Sequence, residues 1–165
     1  MSGEGTTPAG GNGMGAETPQ VQVVGQYIKD LSFENPSAPT NLAARPQIEL
    51  NVDLQARQVE REHFEVELKL RVSAKVEEKP AFLLELVYAG LFHLQNIPEE
   101  ITQQVLLIEA PHILFPFARR IVADVVRDGG MPPLMIEPID FAALYRAKAM
   151  EMQQTRMGNP GQLDA

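Results

Sequence analysis

Residues 111–130 read Pro-His-Ile-Leu-Phe-Pro-Phe-Ala-Arg-Arg-Ile-Val-Ala-Asp-Val-Val-Arg-Asp-Gly-Gly. Apolar pairs recur every four residues, and the final glycines, followed by Pro132, are typical of a helix end. At roughly 100° per residue this repeat drifts by about 40° per turn, so the apolar stripe is wider than one sheet face needs. The stripe predicts either one well-buried core helix or a helix that also packs on another subunit. In the second case the predicted intersubunit residues are Phe117, Ile121, Val122 and Val125.

The composition excludes several classes of protein. A chain of 165 residues with a hydrophobic share of 44% predicts a single domain with a core. The formal net charge of -8 argues against binding to nucleic acid or to an anionic membrane. The absence of cysteine excludes disulfides and thiolate sites. Without a long apolar run or a secretory signal, we expect a soluble, cytoplasmic protein.

Both ends of the chain have few residues that could form a core. Residues 1–19 are mostly Gly, Thr, Pro, Ala and Glu, a composition typical of disorder. The C-terminal residues include Gly158, Pro160 and Gly161. We therefore predict a disordered tail over 1–19, a folded domain over 20–148 and a flexible tail over 149–165.

The first half of the folded domain alternates apolar and polar residues with a period of two, which predicts strands. The predicted strands cover 21–34, 47–57, 63–77 and 81–94. In the first strand the odd positions, including Tyr27, are predicted to share the apolar face, with Val24 and Ile28 as exceptions. Short connections between the strands favour an antiparallel meander with one solvent-facing side.

The fourth strand is apolar on both faces. Its even face carries the core residues, whereas its odd face, which should meet solvent, has Leu83, Val87, Ala89 and Leu91 around Glu85. Exposed apolar area of this kind usually marks an interaction site. The alternative is that a loop or the N-terminal tail covers this strand.

The second half of the domain is predicted to be helical. Pro98-Glu99-Glu100 is typical of a first helical turn, and Pro111 and Pro116 are expected to break or kink the run that follows. Asp140 is the predicted N-cap of a last helix. The predicted fold class is α+β, a four-stranded antiparallel sheet with helices packed on one face.

The sequence contains no recognisable catalytic or metal-binding pattern. His63, His93 and His112 are isolated, with none of the short spacings of a metal site. The serines lie outside any nucleophile elbow, and no glycine-rich phosphate loop is present. We therefore expect a binding protein rather than an enzyme, without a metal or another cofactor.

Four segments closely resemble the SecB family of protein-export chaperones. They are Gln-Tyr-Ile-Lys-Asp-Leu-Ser-Phe-Glu-Asn-Pro at 26–36, Ala-Phe-Leu-Leu-Glu at 81–85, Ile-Leu-Phe-Pro-Phe-Ala-Arg at 113–119 and Pro-Ile-Asp-Phe at 138–141. The resemblance implies a homotetramer, built as a dimer of dimers with the long helices between two eight-stranded sheets. It also implies ATP-independent holding of unfolded preproteins and their delivery to the motor SecA.

The same resemblance implies two binding surfaces. The residues that match the SecA-contacting face are Asp30, Glu34, Leu83 and Glu85. The residues implied for the client groove are Leu42, Ile48, Leu50, Val52, Phe141, Leu144 and Tyr145. A different class also fits the pattern of sheet and helices, namely a monomeric carrier that encloses a small apolar ligand.

Overall fold

The computed structural model describes residues 18–40 and 42–158, so most of the predicted N-terminal tail lies outside the described residues. The strands are β1 (Gln20–Glu34), β2 (Gln47–Glu60), β3 (His63–Val76) and β4 (Lys79–Gln95). The helical segments are α1 (Glu99–Gln104), a π-helical segment (Val105–Glu109), α2 (Ala110–Asp128) and α3 (Phe141–Met157). The four strands form one antiparallel sheet, which confirms the predicted α+β class.

The order of strands across the sheet is β1-β4-β3-β2, so the predicted meander is wrong for β1. Strands β2, β3 and β4 follow one another through tight turns, with positive φ angles at Glu62, Glu77 and Glu78. Residues 35–46 instead carry the chain from β1 at one edge to β2 at the other. Strand β4, which is apolar on both faces, takes a central position and pairs with both β1 and β3.

Strand β1 contains two register shifts, at Val24 and at Lys29. Each extra residue moves the following side chains to the opposite face of the sheet. Between the shifts, Tyr27 therefore faces the polar side, while Gln26 and Ile28 face the helices. The predicted faces of Tyr27 and Gln26 are thus wrong. Val24 and Ile28, the two exceptions to the alternation in the sequence, lie at or next to the two register shifts.

The helical run from 99 to 128 is continuous, so of the two predicted effects of the prolines, a break or a kink, the break does not occur. A proline ring clashes with the carbonyl four residues before it in an α-helix, which for Pro111 is that of Leu107. The π-helical segment provides a wider turn at this point. Pro116 lies inside α2 on its exposed side. Within the described ranges, no helix is long and apolar enough to cross a membrane.

The core lies between α2 and the central strands β3 and β4. Its fully buried side chains include Leu68, Leu70, Leu84, Leu86, Leu114 and Val122. The π-helical segment contacts β2 and β3, and α3 packs on that segment in turn. The sheet therefore has one face covered by helices and one polar face.

Helix α3 starts where the sequence predicts but ends later. Asp140 caps it as predicted, since its Oδ1 accepts a hydrogen bond of 3.0 Å from the backbone N–H of Ala143. The helix continues to Met157, past the predicted domain boundary at 148. From Arg146 onward every described residue is exposed, so the second half of α3 forms outside the core.

Candidate functional site

The polar face of the sheet brings together the four residues predicted to contact SecA. In the pairing of β1 with β4, Glu34 lies opposite Leu83, Ser32 opposite Glu85 and Asp30 opposite Val87. Asp30 and Glu34 are exposed, whereas Leu83 and Glu85 are half-buried. These four residues, here called the motor patch, share one face of the sheet. Asp30 and Glu34 reach this face because the register shift at Lys29 reverses the effect of the earlier shift at Val24.

The rows of paired residues that cross the motor patch continue onto β3 and β2. Arg71 pairs with Glu85, and its Nη1 lies 3.4 Å from Glu85 Oε1. One row further along, the four strands contribute Asp30, Val87, Lys69 and Asp53 in that order. A shallow cavity of about 240 Å³ lies among these rows. Lys69 therefore lies between Asp30 and Asp53, the carboxylates of this row at the two edges of the sheet. The sequence alone did not reveal this arrangement because it depends on the register of the strands.

Next to the motor patch, Glu65 on β3 is almost completely buried, with 5% of its surface exposed. Three side chains donate hydrogen bonds to its carboxylate: the Tyr27 hydroxyl at 2.5 Å, Lys29 Nζ at 3.0 Å and Arg57 Nε at 3.0 Å. Lys29 also donates to Glu67 at 2.5 Å. This group of side chains, here called the Glu65 network, connects β1, β3 and β2 across the intervening strand β4.

The Glu65 network controls the charge of its central carboxylate. Burial alone would raise the pKa of Glu65, but the three donated hydrogen bonds outweigh burial and hold the pKa at about 2. Burial, together with the hydrogen bond to Glu65, raises the pKa of Tyr27 to about 12. Glu65 is thus ionised at neutral pH. The network spans the small residue Ala89, which pairs with Tyr27 and is fully buried.

A first apolar groove runs between edge strand β2 and α3. It encloses a cavity of about 300 Å³ and is here called the lid groove. Its lining residues are Val52, Leu54, Gln103, Leu107, Leu144, Tyr145, Lys148, Ala149 and Met152. Lys148, Ala149 and Met152 are exposed, so the groove opens to solvent along α3.

A second groove lies at the other end of the same strand, beneath the 35–46 connection. It has a cavity of about 390 Å³ and is here called the crossover groove. Its lining residues are Ala44, Arg45, Pro46, Ile48, Phe82, Val126, Met131, Pro132, Pro133 and Leu134. The apolar connector between α2 and α3 therefore forms one wall of this groove.

Most of the residues predicted for client binding lie in or beside these grooves. Val52, Leu144 and Tyr145 line the lid groove, and Ile48 lines the crossover groove. Leu50 is half-buried between them on the same face of β2, and Leu42 is half-buried against the core. The prediction missed Leu54, Leu107 and Met152. Leu54 continues the alternation of β2 and could have been included.

Phe141 does not lie on a binding surface, and its assignment to the client groove is wrong. Its side chain is fully buried, with its ring centroid 6.2 Å from that of Phe115 and 5.2 Å from that of His112. As the first residue of α3, it anchors that helix in the core. Its aromatic character therefore serves packing.

The residues predicted for subunit contact divide into two groups. Ile121 and Val122 are buried in the core of their own subunit, with Val122 fully inaccessible. Phe117 is 44% exposed, and Val125 is half-buried. Only Phe117 and part of Val125 are therefore available to another subunit, because the same helix also has to cover its own sheet.

The described residues give little support to an enclosed ligand site. Both grooves open to solvent, unlike the closed pocket expected of a small-ligand carrier. No group of three or more His, Asp or Glu residues within 18–40 and 42–158 could hold a metal ion. His63 and His93 are not isolated as predicted, since their rings stack across β3 and β4 with centroids 4.5 Å apart.

Comparison of the sequence with known families gives one consistent result. The model of the family described as preprotein translocase subunit SecB matches residues 15–153. The protein-export protein SecB of Parvibaculum lavamentivorans is 50% identical over 154 residues, covering 90% of this chain and 92% of the relative. That of Zymomonas mobilis is 54% identical over 139 residues, covering 83% and 81%.

Comparison with solved structures points to the same fold. A SecB-like chaperone of Mycobacterium tuberculosis, solved in complex with a peptide from an antitoxin, superposes with a TM-score of 0.63. The match covers 72% of this chain and 90% of that chain at 16% sequence identity. At this identity the likeness concerns the fold alone.

Proposed function

The chain belongs to the SecB family of protein-export chaperones, and on this basis we propose that it holds unfolded preproteins without ATP and delivers them to SecA. The observation that carries the proposal is the pair of open apolar grooves along edge strand β2. Both grooves are lined mainly by apolar side chains, with one charged lining residue in each, Lys148 in the lid groove and Arg45 in the crossover groove. Unfolded chains share apolar segments rather than a charge pattern, so such grooves can accept many sequences.

The dimensions of β2 suit an extended client. The helix-side residues from Ile48 to Leu54 span about 20 Å, at roughly 3.3 Å per residue. An extended client segment of about seven residues can therefore follow the strand from one groove to the other. Binding of the unfolded state shifts the folding equilibrium by mass action, which requires no chemical step. The protein thus acts as a non-enzymatic holdase.

The motor patch is the proposed contact for SecA. Asp30, Glu34 and Glu85 attract a basic segment of the motor, so the affinity should fall as the salt concentration rises. Replacing Asp30 and Glu85 with lysine should weaken SecA binding and leave client binding nearly unchanged. Calorimetric titration with SecA and with an unfolded client measures both affinities, and an equal loss of the two would contradict the assignment.

The proposed assembly is a cytoplasmic homotetramer, a dimer of dimers. Strand β1 lies at an edge of the sheet, and its helix-side residues Ile28 and Leu31 are 47% and 40% exposed. Phe117 on α2 stacks on Tyr88, the residue that pairs with Ile28, so apolar surface continues from the sheet edge to the long helix. Pairing of two β1 edges and packing of the long helices would cover this surface.

The test of the holdase proposal is a refolding assay with a slow-folding reporter protein. About one tetramer per reporter chain should delay refolding equally with and without nucleotide. Ile48→Ser with Met152→Ser should remove most of the delay, because these side chains are 40% and 68% exposed and lie one in each groove.

The matched control is Ile101→Ser with Met150→Ser. These side chains are 40% and 60% exposed and lie outside both grooves, so the delay should persist. A wild-type protein that leaves the refolding rate unchanged would contradict the proposed function. Equal effects of the two double variants would contradict the assignment of the grooves.

A further inference from the structure

Asp53 lies on the polar face and contacts one residue of the lid groove. On the polar face it is the last residue of the row that crosses the sheet from Asp30. At the edge of β2 its Oδ1 accepts a hydrogen bond of 2.9 Å from Lys148 Nζ of α3. Lys148 itself lines the lid groove. The Asp53 carboxylate therefore shares a row of paired residues with Asp30 of the motor patch and contacts the lid groove through Lys148.

We propose that Asp53 and Lys148 form a latch through which SecA binding loosens the hold on the client. A basic segment of SecA that extends along the row from Asp30 reaches Asp53 and competes with Lys148 for its carboxylate. Release of Lys148 frees the outer half of α3, which forms one wall of the lid groove. This inference rests on the proposed function and adds the residue pair that couples its two sites.

The distances and charges of the row support this competition. Three strand spacings of about 4.8 Å separate Asp30 from Asp53, roughly 14 Å in all. An extended basic segment of five residues covers that distance. Its cations would meet a carboxylate at each end of the row, with Lys69 between them. Lys69 is itself engaged by Gln55 at 3.0 Å and by Glu67 at 3.6 Å.

Helix α3 is held in a way that allows one half to move. Its first residue, Phe141, is fully buried and fixes the N-terminal end. From Arg146 onward the described residues are exposed, and the contact with Asp53 is the one ion pair between α3 and the sheet in the part of the chain that the structure describes. Loss of this pair would leave Met152 and its neighbours without a polar tie to β2.

The strength of the latch limits the size of the coupling. The Lys148 and Asp53 side chains are 54% and 62% exposed, and exposed ion pairs are individually weak. Its loss should therefore change client affinity by a factor of up to about five. Because coupling between two binding sites is reciprocal, the client should weaken SecA binding by the same factor.

The experiment measures the affinity for a permanently unfolded client polypeptide in the absence and presence of saturating intact SecA. In the wild-type protein SecA should weaken client binding by up to about fivefold. In Lys148→Gln the client should bind two- to fivefold more weakly already, and SecA should change that value no further. Arg146→Gln removes the same charge from an exposed position of the same helix and should behave as the wild type does.

A charge exchange separates the latch from a general effect of lost charge. Lys148→Asp combined with Asp53→Lys restores the pair but repels a basic segment, so client affinity should return towards wild type while SecA has no effect on it. Two results would overturn the latch and leave the proposed function intact. In the first, the wild-type protein binds both partners and neither weakens the other. In the second, SecA weakens client binding to Lys148→Gln as much as it does in the wild type. Wild-type protein that binds neither partner overturns the proposed function as well.

Discussion

Glu65→Gln tests whether the Glu65 network stabilises the fold through a buried charge. The pKa of Glu65 lies at about 2 in the folded protein, against an ordinary value of 4.5. At roughly 1.36 kcal/mol per pKa unit, this gap corresponds to about 3 kcal/mol of stability at neutral pH. Glutamine keeps the shape of the side chain but removes the charge that Tyr27, Lys29 and Arg57 recognise. We therefore expect the variant to lose about 3 kcal/mol at pH 7.

The sign of the pH dependence follows from the lowered pKa. A carboxylate with a lowered pKa contributes its full stability above the unfolded-state value of 4.5 and loses it as the pH falls towards about 2. By pH 3 the wild-type protein should have lost about 2 kcal/mol of this contribution. The difference between wild type and Glu65→Gln should shrink accordingly over this range.

Urea unfolding between pH 7 and pH 3, at one fixed protein concentration, measures these free energies. Glu60→Gln is the matched control, since Glu60 is exposed at the end of β2 and should leave the unfolding curve nearly unchanged. A Glu65→Gln variant within about 0.5 kcal/mol of the wild type at pH 7 would refute the reasoning. So would a stability difference that stays constant with pH.

Four further substitutions test the two faces of α2, the anchor of α3 and the N-cap of α3. Phe117→Asp should dissociate the assembly in light scattering and keep the circular dichroism of a folded subunit, whereas Ile121→Asp should unfold the subunit because that side chain is buried. Both variants unfolding together would contradict the division of α2 into two faces. Phe141→Ala should lower the free energy of unfolding in urea by about 3–5 kcal/mol, as expected for a fully buried aromatic ring. A loss below about 1 kcal/mol would contradict the role of Phe141 as a core anchor and favour the original assignment to the client groove. Asp140→Ala should cost about 1 kcal/mol and speed amide exchange in the first turn of α3, through loss of the bond to Ala143. Unchanged exchange there would argue against the cap.

The sequence predicts well what depends on local pattern. Strands β2 and β3 follow an unbroken alternation of apolar and polar residues, and the helix-side positions of β2, from Leu50 to Ala56, are half-buried as that alternation predicts. Asp140 likewise caps α3, because a helix N-cap depends only on residues within one turn. The SecA contacts proposed for the motor patch remain a prediction, which rests on segments that match family motifs.

Features that depend on register or on distant pairing could not be predicted. The register shifts in β1 reverse the face of Tyr27, and the alternation shows them only as exceptions. Asp53 and Lys148 are 95 positions apart, and their contact requires β2 and α3 to meet at one edge of the sheet. Phe141 and Leu144 are both apolar residues in the first turn of one helix, so the sequence does not distinguish their roles. The structure shows that Phe141 is buried in the core and that Leu144 lines the lid groove.

The position of β1 has a consequence for how each copy of this protein is synthesised. Gln20 pairs with Gln95, so the pairing of β1 with β4 is complete only after 75 further residues have been added to the growing chain. At roughly 5–20 residues per second, this takes about 4–15 seconds. During that interval β1 emerges as an unpaired strand that carries Val21, Ile28 and Leu31. A nascent copy of the chaperone therefore passes through the same exposed, unfolded condition as the chains that it binds.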